Sequence, residues 1–214
     1  MCIRDRSFNI AINDVNESSV GAVSDANALA NSVAENATNG TAVGITASAT
    51  DADATNNAIT YSLSDNAGGR FAIDASTGVV TVANGSLLDR EAASSHTITV
   101  VATSADGSTS TQSFNIAVND QDEFAVTLPA DTDARANVIA FGAANGTEVG
   151  IQISATDQDS TSNSVTYRLQ DDAGGRFAID AQTGVVTLAR GDLLNGLTAL
   201  THRVTVPVSY THLR

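Results

Sequence analysis

The chain has no lysine and no tryptophan, and it carries one cysteine and two prolines in 214 residues. A lone Cys2 excludes a disulfide framework and a cysteine-based zinc site. Scarce disulfides ordinarily point to a reducing compartment. That inference is set aside here, because secreted repeat proteins can be stabilised by metal instead. No run approaches the ~20 apolar residues that span a bilayer, and the first ten residues, MCIRDRSFNI, hold no apolar signal-peptide core. All ten basic residues are arginine, against 24 acidic residues, for a formal charge of -14. Such a chain repels phosphate, which excludes nucleic-acid binding, and it favours cations. What is present is a hydrophobic content of 42%, enough for packed cores, with many β-branched residues. The length suits one large domain or two of about 100 residues.

The chain repeats itself. Asn39-Gly40-Thr41 recurs at Asn145-Gly146-Thr147, and Thr50-Asp51-Ala52-Asp53 at Thr156-Asp157-Gln158-Asp159. Gly68-Gly69-Arg70-Phe71-Ala72-Ile73-Asp74 recurs at Gly174-Gly175-Arg176-Phe177-Ala178-Ile179-Asp180. Every offset is 106, and 39 of 62 positions agree between 39–100 and 145–206 without a gap. The same offset maps Ser7-Phe8-Asn9-Ile10-Ala11-Ile12-Asn13-Asp14 onto Ser113-Phe114-Asn115-Ile116-Ala117-Val118-Asn119-Asp120. The expected organisation is therefore a window on a longer array. Residues 1–17 are the last strand of a preceding repeat plus linker, 28–120 a complete repeat, and 121–206 a second repeat that stops before its last strand. Residues 1–6 and 207–214 break the register and resemble translated adapter sequence, so the fold expectation leaves them out.

Within a repeat the apolar period is two. Ile59, Tyr61 and Leu63 share one face, as do Ile98, Val100 and Ala102, and Phe114, Ile116 and Val118. That alternation marks strands with one buried face, and glycines punctuate them at turn positions. Seven strands are predicted, near 31–36, 41–50, 58–64, 70–74, 78–83, 96–104 and 109–119. The fold class is all-β, with tandem Greek-key, seven-stranded, immunoglobulin-like β-sandwiches.

The acids are grouped. Alternate strands run in opposite directions, which puts Asp51, Asp53 and Asp106 at the leading end of the first repeat. Glu35, Asp89, Glu91 and the linker acids Asp120, Asp122 and Glu123 reach its trailing end, where Asp157 and Asp159 of the next repeat are expected to join them. Each close carboxylate pair costs about 1–4 kcal/mol at 4 Å between water-like and surface dielectrics. A hard divalent cation relieves that repulsion. Calcium takes 6–8 oxygen ligands in flexible geometry, magnesium demands stricter octahedral geometry, and zinc prefers His or Cys.

The motifs Ala34-Glu35-Asn36, Thr50-Asp51-Ala52-Asp53, Leu88-Asp89-Arg90-Glu91, Ala105-Asp106-Gly107 and Asn119-Asp120-Gln121-Asp122-Glu123 stand in the order of a cadherin repeat. On them the chain resembles tandem cadherin domains of bacterial surface proteins, over residues 31–206 and 7–17. The resemblance implies calcium at the repeat junction, as many as three ions. Glu35, Asp89, Glu91 and the linker acids would hold two, and Asp122, Asp157 and Asp159 the third, helped by a carbonyl near Ser162-Asn163. In the first repeat Asn56-Asn57 would play that part, and Asp14, Asn16, Glu17, Asp51, Asp53 and Asp106 would form the upstream junction. The linker departs from the animal family's Asp-x-Asn-Asp-Asn. The second repeat has Phe141 where Glu35 stands, and Asn195-Gly196-Leu197 where Asp89-Arg90-Glu91 stands. A depleted junction beyond it is expected.

The functional expectation is an extracellular, cell-surface array that binds calcium and supports calcium-dependent adhesion, with other copies of itself or cell-surface ligands as partners. The alternative is a passive stalk of a larger secreted or surface enzyme or toxin. Catalysis is not expected, since no nucleophile elbow, phosphate loop or base–nucleophile pair is present. His96 and His202 share a repeat position and read as structural. With aromatics at 4% and Tyr61 and Tyr167 facing the core, a carbohydrate platform ranks low.

Overall fold

The computed structural model describes residues 5–12, 15–53, 55–159, 161, 163–194 and 200–210. It divides into two units, 1–119 and 120–214.

In the first unit, strands β1 (Ser24–Asp25), β2 (Ser32–Ala34), β3 (Ala42–Ser48), β4 (Ile59–Asp65), β5 (Phe71–Ile73), β6 (Val79–Val82), β7 (Ser95–Ser104) and β8 (Thr109–Asn119) form two sheets. Their orders are β1-β3-β6-β5 and β2-β8-β7-β4. All pairs are antiparallel except β2 with β8, which run parallel. The alternating residues meet between the sheets: Val43, Ile45, Phe71, Val80, Val82, Ile98, Val100, Ile116 and Val118 are essentially inaccessible to solvent. Burial of one such side chain contributes about 1.5–3 kcal/mol. Gly44 interrupts β3 at φ 84, where a Cβ would meet the Ala30 carbonyl oxygen at 2.2 Å. The β3–β6 register shifts across the same stretch, as a glycine bulge requires.

The expected first strand, near 31–36, is preceded by a strand that was not predicted. Ser24–Asp25 pairs with β3, whereas Ser32–Ala34 pairs with β8, so the chain changes sheets between them. Asp25 anchors the crossing by accepting from the Thr46 amide at 3.0 Å and the Asn27 amide at 2.9 Å. Among the described residues this unit therefore has eight strands where seven were predicted.

The second unit repeats the plan with β9 (Ala130–Asp131), β10 (Glu148–Ser154), β11 (Val165–Tyr167), β12 (Phe177–Ile179), β13 (Val185–Leu188) and β14 (Val208–Tyr210). One sheet is ordered β12-β13-β10-β9, and β11 pairs with β14. The segment 207–214, set aside on sequence grounds, thus contributes a strand, with Val165 opposite Tyr210 and Tyr167 opposite Val208. No residue of the chain lies at the 106-residue offset from β8. Residues 138–140, the counterpart of β2, carry no strand.

Candidate metal centre

At the leading end of the first unit, the loop after β3 and the turn joining β7 to β8 lie side by side. Asp51, Asp53 and Asp106 each offer a carboxylate oxygen within 4.8 Å of the others. The Asp53 amide donates to Asp51 Oδ1 at 3.2 Å, tightening the Asp-Ala-Asp loop. Asp53 is buried, and its Oδ1 accepts from the amides of Glu17 at 3.2 Å and Ser18 at 3.1 Å. Asn57 Nδ2 donates to the Asp53 carbonyl at 2.8 Å. Asp106 accepts from the Ser108 amide at 2.7 Å and from Asn16 Nδ2 at 2.8 Å. The Ser108 amide, then the Ser108 hydroxyl and Asn16, hold the Asp106 carboxyl below the usual carboxylate range, so it is anionic at neutral pH.

These donors are neutral, and they do not reach every oxygen. Asp51 Oδ2 and Asp53 Oδ2 are buried and accept no hydrogen bond from the described residues. A buried acceptor left unsatisfied costs about 1–3 kcal/mol, and more when charged. Oxygen-only donors converging around orphaned carboxylate oxygens suit a hard divalent cation, calcium above zinc. Of the sequence-predicted ligands here, Asn16 bonds the cluster through its side chain and Glu17 through its backbone amide, while Asp14 lies outside the described residues.

At the trailing end, Glu35 is 1% exposed. Its Oε2 accepts from the Arg90 amide at 2.5 Å, and its own amide donates to the Asn119 carbonyl at 2.9 Å. Glu35 and Glu91 offer carboxylate oxygens within 4.8 Å of each other. Asp89 accepts from the Ala92 amide at 2.8 Å, closing its turn. Arg90, expected as a local charge partner, donates from Nη1 to the carbonyls of Val118 at 2.8 Å and Ser94 at 3.2 Å. It thereby ties the acidic turn to the end of β8.

The second unit repeats three hydrogen bonds of the leading-end loop. The Asp159 amide donates to Asp157 Oδ1 at 3.3 Å, and Asp159 Oδ1 accepts from the amides of Glu123 and Phe124, both at 3.3 Å. Asp159 is buried, and its Oδ2 accepts no hydrogen bond from the described residues. Asp120 Oδ2 accepts from the Thr161 amide at 2.9 Å and from the Thr161 hydroxyl. Asp122 and Asn163 are exposed. The place of Asp106 is taken by His212, and that of Asp89-Arg90-Glu91 by 195–197, all outside the described residues.

Sequence reasoning missed the parts that hold these loops. Tyr61 Oη accepts from the Ala49 amide at 3.0 Å, just before Asp51, and Tyr167 Oη accepts from the Ala155 amide at 3.0 Å. Their recurrence at the 106-residue offset was the available signal, but it reads equally as core packing.

Residues 30–119 match the family model of the Cadherin domain. The chain is 40% identical over 150 residues to mouse Protocadherin Fat 4 and 37% over 145 residues to the human protein, in each case across 66% of this chain. It spans about 3% of the length of these curated relatives. Among solved structures, mouse Cadherin-23 EC22-24 aligns with a TM-score of 0.60 and 30% identity over 83% of this chain and 56% of that one. Protocadherin Gamma B2 extracellular cadherin domains 3-6 aligns with a TM-score of 0.74 over 92% of this chain and 49% of that one, and at 24% identity it speaks to the fold. The curated relatives are animal proteins, so the bacterial source expected from the resemblance draws no support from them.

Proposed function

Residues 30–119 belong to the cadherin domain family, and on that premise we propose that the chain is part of an extracellular, non-enzymatic array whose acidic loops bind calcium and support calcium-dependent adhesion. The observation that carries this reading is the cluster of Asp51, Asp53 and Asp106, with buried carboxylate oxygens that accept no hydrogen bond. These three side chains would hold the ion at the leading end. When bound, calcium cancels the mutual repulsion of the carboxylates and supplies the missing partner for the orphaned oxygens. Asn16 and the Ser108 amide orient Asp106, and the Glu17 and Ser18 amides orient Asp53.

The remaining sequence-predicted ligands extend the proposal along the chain. Glu35, Asp89 and Glu91 close the first repeat, and Asp120, Asp122, Glu123, Asp157 and Asp159 open the second. Calcium shared among them would fix the angle between repeats. That part rests on the order of residues along the chain. Other copies of the array, or ligands on a cell surface, are the partners this reading assigns.

Extracellular calcium modules bind at about 10⁻⁴–10⁻³ M, and a tenfold excess over such a constant adds about 1.4 kcal/mol per site. Thermal unfolding of the full chain in chelator and in millimolar calcium tests the reading. Calcium is expected to raise the midpoint, and Asp51→Asn with Asp53→Asn to remove the leading-end share. Indifference of the parent chain to calcium would overturn the proposal.

A further inference from the structure

Three asparagines among the described residues stand directly before a glycine: Asn39, Asn84 and Asn145. An Asn-Gly pair is chemically labile, because the glycine amide nitrogen, unhindered by a side chain, attacks the asparagine Cγ. The N–Cγ bond forms, the Cγ–Nδ2 bond breaks, and ammonia leaves with the displaced amide proton. Water then opens the cyclic imide at one of its two C–N bonds, giving aspartate or isoaspartate. The reaction needs a free glycine nitrogen and is helped by a polarised Cγ carbonyl.

The fold treats the three pairs differently. The Gly40 amide donates to the Val82 carbonyl at 2.8 Å and the Gly146 amide to the Leu188 carbonyl at 2.7 Å, so main chain holds the nucleophile in both. The Gly85 amide donates instead to a side chain, Asn39 Oδ1, at 2.9 Å. At Asn84 the backbone is extended, with φ -142 and ψ 98, which turns the Gly85 nitrogen away from Cβ. Ring closure there requires ψ to rotate and the bond to Asn39 to break. The carbonyl side is already prepared. Asn84 Oδ1 accepts from the Ser86 hydroxyl at 2.7 Å and the Ser86 amide at 3.2 Å, donors aimed at the oxygen where negative charge develops on attack. Packing fixes the labile pair in place, since a Cβ at Gly85 would meet the Ala37 carbonyl oxygen at 1.8 Å. The second unit keeps the latch without its target: the Gly191 amide donates to Asn145 Oδ1 at 2.8 Å, but Arg190 stands where Asn84 does.

We propose that Asn84 is a site of spontaneous deamidation, with water as co-reactant, which the Asn39 side chain holds closed in the folded chain. Asn39 acts through Gly85 and is a positioning residue. The product places a new carboxylate, or one extra main-chain carbon, just ahead of buried Leu88 and the Asp89-Arg90-Glu91 turn. No step of this chemistry involves calcium.

The test is incubation of the folded full chain at mildly alkaline pH, with peptide mapping for the amide-to-acid mass gain and for isoaspartate. Asn84 is expected to react more slowly in the parent than in a synthetic peptide of residues 80–90. Asn39→Ala should speed Asn84 about fivefold, the change in opening that one lost hydrogen bond implies. Asn39→Asp keeps an acceptor and should stay at the parent rate, as should Asn145→Ala. Adding Ser86→Ala to Asn39→Ala should slow Asn84 again. The Asp106-Gly107 pair, whose glycine amide donates to the Ser104 carbonyl at 3.0 Å, reports unfolding of the whole unit and should keep its parent rate throughout. A parent rate equal to the peptide's, an Asn39→Ala rate equal to the parent's, or acceleration at Asp106-Gly107 as large as at Asn84 overturns the proposal.

Discussion

The two units carry much the same sequence at a fixed offset, yet they differ wherever β8 matters. Their local devices coincide. Arg70 Nη1 donates to the Ala67 carbonyl at 2.8 Å and Arg176 Nη1 to the Ala173 carbonyl at 2.6 Å. Asp74 and Asp180 each accept from a threonine amide at 2.8 Å, and those bonds hold both carboxyls below the usual range. The Asp-x-Asp loops match as well. Across the sheet the likeness stops. Val33 is buried while Ile139 is only half-buried, and Ile98 and Val100 are buried while Val204 and Val206 are half-exposed. Turn and loop geometry is thus written within a few residues, whereas the burial of a wall depends on a strand far along the chain.

The largest expected effect breaks this comparison at β8 itself. Ile116→Ala should destabilise the first unit by about 2–5 kcal/mol, as a buried isoleucine does. Ile10→Ala, the same residue of the same motif but exposed, should stay within about 0.5 kcal/mol at concentrations where the chain is monomeric. Denaturant unfolding in chelator measures both, and equal costs would mean that the two segments are not in different environments. A smaller effect is expected at the trailing end. Glu35→Ala removes the acceptor of the Arg90 amide and should cost about 1–3 kcal/mol in chelator. Phe141→Ala, at the corresponding position and 78% exposed, should cost almost nothing. A comparable loss at Phe141 would show that the second unit uses this position structurally after all.

Most of the fold was legible because period-two alternation is enforced by a buried face, so Ile98, Val100, Ile116 and Val118 announce their sheet. Ser24–Asp25 was not legible. Two residues have no period, and the pairing depends on Asp25 reaching the Thr46 amide. Val208–Tyr210 was discounted because 207–214 departs from the repeat and resembles adapter sequence, but a ladder asks only for backbone in register. At the site, the Asp51–Asp53 and Asp157–Asp159 spacings were readable as ligand-like because they recur. The amides of Glu17, Ser18, Glu123 and Phe124 were not, since a backbone donor leaves no mark on residue type. Tyr61 and Tyr167 hid a positioning role behind an ordinary core pattern.

The smallest expected effect sharpens the comparison at the paired histidines. Phe71 and His96 have ring centroids 6.3 Å apart, Phe177 and His202 6.2 Å, so the local contact is the same. Around His96 the wall is complete, and its Nε2 is buried without a hydrogen-bond partner. Burial first, and the nearby Arg70 guanidinium second, push the His96 pKa below its ordinary value of 6.5. The unfolded chain then binds a proton more readily than the folded one. Stability of the first unit is complete above about pH 6.5 and falls as pH drops from there toward the folded-state pKa. His96→Gln should flatten that slope, read from unfolding free energies in chelator at a series of pH values. If the slope persists in His96→Gln, or disappears instead on His202→Gln, then the completed wall around His96 is not its origin.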